Sequence, residues 1–261
     1  MRSRYSGGLE HYINKDRSVM DVPVIVRVML IVMLALQLLW HSQQDPVVAT
    51  AEDLPSPMST RTYVISSLGE PVAMSKLLNL WLQAFDNQPG ISIPFRHLDY
   101  SRITEWLDTS LALDPDGRYP MLVAARVYGG VSDPERQRQM MDYIFFRFSD
   151  DPAKHWRWLA HAVIIAKHEL KDLDLALKYA TALASADKSA GIPYWARDMK
   201  IIVLEDMGEV EAAKILVGAL IESGDITDPY ELGFLVEKIA ELEQKSSESR
   251  QDVENSTLKT R

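Results

Sequence analysis

The 261-residue chain contains no cysteine. That excludes disulfides, thiolate zinc sites, a cysteine nucleophile and a lipid-modified cysteine, and leaves the redox compartment open. Catalytic signatures are missing as well: no G-x-G-x-x-G, G-x-x-x-x-G-K-[ST], G-x-S-x-G or H-E-x-x-H pattern occurs. His168-Glu169 is followed by Leu170-Lys171-Asp172, without the second histidine that would put two imidazoles on one helix face. The expectation is therefore a protein that is not an enzyme, with no cofactor and no metal. Positive charge is scarce, since 28 Lys and Arg face 37 Asp and Glu for a formal net charge of −9. A broad nucleic-acid surface needs many Lys and Arg contacts to phosphate, so nucleic acid is not an expected partner.

What the chain does have is 47% hydrophobic residues, enough for a folded core, and one long apolar run from Val22 to Trp40. Those 19 residues would span about 28 Å as a helix, close to the hydrocarbon thickness of a bilayer. Arg27 sits one or two turns from the start, where its stem can reach the headgroups, and Trp40 suits the opposite interface. The run reads as a transmembrane helix over 22–40 that contacts membrane lipid. A buried helix of a soluble protein fits an all-round apolar segment less well.

Arg2, Arg4, Lys15 and Arg17 precede the span, whereas the stretch from His41 to Ser59 has no Lys or Arg. Positive residues are retained in the cytoplasm, so 1–21 is expected to be cytoplasmic and the rest extracytoplasmic. A cleaved signal peptide with Ala49-Thr50-Ala51 as its processing site is the competing reading. That site lies 11 residues past Trp40, and the span exceeds the usual h-region, which favours an anchor. Residues 41–70 read as a tether, with Thr62–Ser66 as one short extended piece that could pair with another copy in a homo-oligomer. Residues 245–261, rich in Ser, Glu, Lys and Asn, read as a disordered tail.

From Pro71 the pattern is helical. Helices are expected over about 72–86, 99–113, 118–130, 133–148, 153–169, 173–186, 193–207, 209–223 and 228–244. Asp-Pro steps at Asp133-Pro134, Asp151-Pro152 and Asp228-Pro229 join an N-cap acceptor to a residue whose fixed φ suits the first turn. Pro115, Pro152, Pro193 and Pro229 recur at intervals of 37, 41 and 36 residues. Helix pairs repeating at that length stack into solenoids, because one pair cannot bury its apolar face alone. On the helix from 153, Leu159, Ala162, Val163, Ala166 and Leu170 form one inward stripe. On the helix from 193, Trp195, Met199, Ile202 and Val203 form one face, with Ile201 and Leu204 on another. Leu232, Phe234, Leu235, Ile239 and Leu242 make the last helix amphipathic.

These residues resemble the tetratricopeptide (TPR) repeat family. The stretch Asp99 to Pro115 looks like a second repeat helix ending in its proline; Leu122, Ala125 and Tyr128 look like a following first helix; Ala176, Ala180, Leu183 and Ala184 look like a later second helix. Gly208 to Lys214, followed by Leu216 and Ala219, looks like an interhelix turn and small-residue contact. Spacings above 34 residues and the unkept first-helix Trp-Leu-Gly pattern depart from the family. The resemblance, which covers roughly 99–244, implies an all-α fold in which the transmembrane helix read from the apolar run is followed by a TPR-like solenoid over 71–244, whose usual work is protein–protein interaction. The same block resembles single-span bacterial membrane proteins, which implies an inner-membrane location with a periplasmic domain.

One constellation runs against the overall charge. Lys154, Arg157, His161, His168 and Lys171 fall within about 100° on a helical wheel, opposite the Leu159 stripe. They are candidates for docking a partner, an acidic protein segment near the membrane or an anionic envelope polymer; the plainer reading, a solvated face paired with Asp150, Asp151, Glu169 and Asp172, stands ahead of it. Trp158, like Trp156, flanks Arg157 as a candidate anchor or as core. His161 and His168 lie about 10 Å apart along the axis, too far to share a metal. The loop from Asp86 to Phe95 is expected to pack over the first helices rather than serve as a binding arm. The sequence thus points to a membrane-anchored scaffold for complex assembly, with a polymer-binding accessory or envelope enzyme as the alternative.

Overall fold

The computed structural model describes residues 22–44, 50–224 and 226–259, with side chains through 247. The segment 1–21, expected to be cytoplasmic, and Ala49 of the alternative processing site lie outside the described residues. Two compact units divide the chain at Ala49 and Thr50. Among its described residues the first contains one helix, α1 (Val24–Ser42), whose 19 residues are mostly apolar and none of them buried. It is long and apolar enough to cross a membrane.

The second unit holds α2 (Thr60–Ser66), α3 (Pro71–Ala84), a two-stranded hairpin of β1 (Asn87–Gln88) and β2 (Ile91–Ser92), α4 (Tyr100–Leu113), α5 (Tyr119–Val123), α6 (Pro134–Asp150), α7 (Pro152–His168) and α8 (Leu173–Ser185). It continues through α9 (Tyr194–Arg197), α10 (Met199–Asp206), α11 (Val210–Glu222) and α12 (Pro229–Lys259). The hairpin pairs Asn87 with Ser92 and Gln88 with Ile91. Helices close in sequence pack on each other along this order: α3 on α4, α6 on α7, α7 on α8, α8 on α10 past the short α9, α10 on α11 and α11 on α12.

Aspartates cap the starts. Asp99 accepts from the Ser101 N–H at 2.9 Å, Asp133 from Glu135 and Arg136 at 3.1 Å, Asp151 from Lys154 at 3.1 Å and Asp172 from Leu175 at 2.8 Å. Each satisfies donors that the first turn leaves without an intrahelical partner. The Leu159, Ala162, Val163 and Ala166 stripe of α7 is fully buried, and Leu170 packs against the same core. A second, smaller cluster joins Ile201, Leu204, Ala213, Val217, Leu235 and Leu242. Since Val203 belongs to the large cluster, α10 is sandwiched between two apolar layers.

Polar ties between helices repeat with the same period as the chain. Tyr143 on α6 donates to Asp108 Oδ1 on α4 at 2.7 Å, and Tyr179 on α8 donates to Asp142 Oδ1 on α6 at 3.0 Å. A cation attends each: Arg147 pairs with Asp108, and Lys178 with Asp142 at 3.4 Å. Burial pushes both phenols above their ordinary pKa, and the facing aspartates add to it. Between α3 and α4, a buried polar knot forms where Ser75 Oγ donates to Ser110 O at 2.9 Å and Asn79 Nδ2 to Ser75 O at 2.8 Å.

Four expectations change. Thr62–Ser66 is helical, not extended: Ser59 caps it through the Thr62 N–H, and Tyr63 is buried with its ring 6.0 Å from that of Trp106. β-branched Thr62, Val64 and Ile65 signal strand, but a cap and a buried aromatic override that weak preference. From Thr50 the segment read as a tether packs down instead, with Leu54 buried and Trp106 Nε1 donating to Pro55 O at 2.8 Å. The helix expected over 193–207 breaks at Asp198, which turns Trp195 and Ile202 outward while Ile201, Val203 and Leu204 face in. Finally, α12 runs to Lys259 rather than giving way to a structureless tail after 244. Glu, Lys and Gln are strong helix formers, Lys245 pairs with Glu241 at 3.0 Å, and Ser246 donates to Glu211 Oε1 at 2.6 Å.

Candidate functional site

The cationic residues do not form one continuous stripe. Helix α7 ends at His168, and Lys171 falls in the turn beyond it with φ of 53°, a left-handed conformation that carries it off the α7 face. His168 is exposed in the last turn. Asp172 and Glu169, expected to neutralise the stripe, are taken by α6 instead: Arg138 Nη2 donates to Asp172 Oδ2 and Gln137 Nε2 to Glu169 Oε2, both at 2.6 Å. His161 is half-buried; burial lowers its pKa, helped by Arg126 and opposed by the backbone of Ala125. It is a neutral wall residue at neutral pH rather than a docking cation.

The N-terminal half of the stripe does form a site. Lys154, His155, Arg157 and Trp158 on α7 face the turn Pro115 to Arg118 across a cleft of about 260 Å³. The α4–α5 turn is placed by the Asp-Pro-Asp-Gly sequence that ends α4, with the Gly117 N–H donating to Asp114 O at 3.0 Å. A Cβ at 117 would lie 2.6 Å from the Asp114 carboxylate carbon, so a side chain there would have to push that carboxylate aside. Asp151, capping α7, fixes the opposite wall.

Within the cleft Lys154 Nζ meets Asp116 Oδ1 at 2.8 Å and donates to Pro115 O at 3.2 Å, with Asp151 Oδ2 at 3.9 Å. Hydrogen bonding to Asp116 holds the Lys154 pKa up and that of the carboxylate down. Exposed pairs of this kind contribute little and exchange easily for another anion. Arg157 stacks its guanidinium 4.5 Å from the Trp156 ring, which leaves its donors pointing outward. Trp156 is itself buried and meets Trp195 edge-on at 5.6 Å; Trp158 is half-buried against the core and lines the cleft. Burial lowers the His155 pKa, and its Nδ1 is buried without a hydrogen-bond partner.

The cleft therefore offers three cations, Arg118, Arg157 and a Lys154 already paired with Asp116, together with a neutral imidazole with an unmet nitrogen and the Trp158 indole. Arg118 and His155 were not visible as members of a site. Arg118 comes from the α4–α5 turn, outside α7, and His155 lies between two stripe residues, so helical periodicity places neither. No group of three or more His, Asp or Glu suited to a metal occurs among the described residues. The hairpin loop packs as expected, with Ile93 and Phe95 against the core and Phe95 edge-on to Tyr128 at 5.6 Å. The chain matches no protein-family model, no curated protein and no solved structure.

Proposed function

We propose that this protein is a membrane-anchored, extracytoplasmic scaffold: α1 crosses the bilayer with its N-terminus in the cytoplasm, and a TPR-like helical array docks an acidic segment of another protein. The observation that carries the reading is the cationic cleft on an array whose charge is otherwise acidic. Its charges sit on two elements one repeat apart, with α7 capped by Asp151, as a preformed recognition surface requires. Opposite potentials steer a partner in and suppress wrong ones more than they add affinity. The repeated Tyr–Asp ties support stacking of equivalent units, the arrangement in which solenoids display extended binding faces. The bacterial inner membrane and a periplasmic compartment follow from the flanking charges and the resemblance.

The test is co-purification of the full chain in mild detergent, wild type beside Arg118→Glu, Arg157→Glu. A stoichiometric protein partner, released by salt and absent from the variant, is the expected result. A partner retained equally by the variant would remove the cleft from the reading. Retention on an anionic glycan matrix with no protein partner would replace the scaffold reading with polymer binding.

A further inference from the structure

A second hollow, of about 260 Å³, lies among α9, α10, α11 and the first turn of α12. Its walls are mostly apolar, with Ile192, Ile201, Leu216, Leu220 and Ile226 prominent. Two acids from separate elements meet there: Asp198, at the break between α9 and α10, and Glu231, in the first turn of α12. Asp198 is 5% exposed. Its Oδ2 and Glu231 Oε1 are both buried without a hydrogen-bond donor.

A buried carboxylate without a donor is costly, and a facing pair more so, because like charges in an apolar setting cannot both ionise. Something positive must come between them: a shared proton, or a cation. The cations nearest in the lining are Lys188 and Arg197, with the Tyr194 phenol beside them. Arg197 spends its guanidinium on backbone carbonyls, donating to Ala186 O at 2.7 Å, Asp187 O at 2.9 Å, Ala184 O at 3.1 Å and Ile192 O at 3.3 Å. It braces the wall and does not reach the acids. Burial, then Glu231, pushes Asp198 far above the carboxylate range, and no basic side chain lowers it.

We propose that this hollow is a binding site for a small organic cation, an alkylammonium or alkylguanidinium, whose charged head lies between Asp198 and Glu231 and whose alkyl body fills the apolar part. The head supplies three or five N–H donors to carboxylate oxygens that have none. The apolar walls match an alkyl stem. At roughly 30 Å³ per water, the space equals about eight or nine waters, the size of a four- to six-carbon amine. A hard divalent ion would want six or more oxygen ligands, and two carboxylates on an apolar wall do not supply them. Binding displaces the shared proton, so the site exchanges H⁺ for an organic cation with charge conserved.

The experiment is calorimetric titration of the full chain in detergent with n-butylammonium and n-butylguanidinium, in two buffers of different ionisation enthalpy. Saturable binding that releases protons to the buffer and tightens as pH rises from 6 to 8 is expected. Asp198→Asn and Glu231→Gln should each weaken it at least tenfold, while circular dichroism shows both variants folded. Failure of both probes to bind would overturn the proposal, as would binding unchanged in Asp198→Asn. Equal binding of neutral n-butanol would make the hollow merely apolar, and tighter binding of Ca²⁺ or Mg²⁺ would make it a metal site; either result also overturns the organic-cation assignment. None of these outcomes depends on whether the cleft on α7 docks a protein.

Discussion

Replacing Asp198 by Asn should make the protein more stable, which is unusual for a change at a buried position. Burial and the facing Glu231 raise the Asp198 pKa from 3.8 to about 8. A proton is thus bound in the folded chain and absent in the unfolded chain between those values. A raised acid pKa gives the native state more protons than the unfolded state, so stability falls as pH rises through that window. At pH 7, about 3 pH units above the unfolded value, the cost is roughly 4 kcal/mol at 1.36 kcal/mol per unit. Asparagine matches the protonated carboxyl in shape and charge, and its amide can donate to Glu231 without taking up a proton. Partial relief is realistic, so a gain of about 2–4 kcal/mol, or about 5–15 °C in Tm for a chain of this size, is expected at pH 7. Thermal unfolding of the full chain in detergent, read by circular dichroism from pH 4.5 to 8, measures it. The gain should shrink towards zero at pH 4.5. An equal gain at both ends, or a loss at pH 7, would refute the shared-proton reasoning.

Two further outcomes follow from the helix packing and from the proposed topology. Tyr143→Phe and Tyr179→Phe each remove one charge-assisted hydrogen bond between alternate helices and should lower stability by about 1–2 kcal/mol by urea denaturation, with the double variant close to the sum; unchanged midpoints would show that the ties hold nothing. A reporter active only outside the cytoplasm, fused after Ser59, should be active, and an inactive fusion would reverse the proposed orientation.

The sequence disclosed those parts of the fold that rest on local chemistry. Asp133, Asp151 and Asp172 are strong caps followed by apolar period, and the helices begin where those residues put them. The Leu159 to Ala166 stripe is buried because nothing competes with it. Where a tertiary contact decides, local signals failed. Thr62 to Ser66 looked extended until Tyr63 found Trp106, and the 41–70 tether concealed Leu54, a single apolar residue in a polar stretch that becomes core. Asp198 was lost among 37 acids. Its one local trace is a position three residues before Ile201, on the inward side of an apolar run. The cleft was half legible for a similar reason: Lys154, Arg157 and Trp158 share a helix, so spacing groups them, whereas Arg118 joins them only when α7 folds back against the α4–α5 turn. His161, His168 and Lys171 kept the right spacing for a continuous stripe, but burial removes the first and the end of α7 removes the last.

Ala153 lines the cleft without carrying its charge, so a photoreactive phenylalanine analogue placed there in the living cell reads the docking claim most directly. The account predicts one dominant protein adduct through an acidic segment, lost when Arg118 and Arg157 become Glu and absent when the same analogue replaces exposed Glu237 on α12. No protein adduct at position 153, or an identical adduct from both positions, would contradict it.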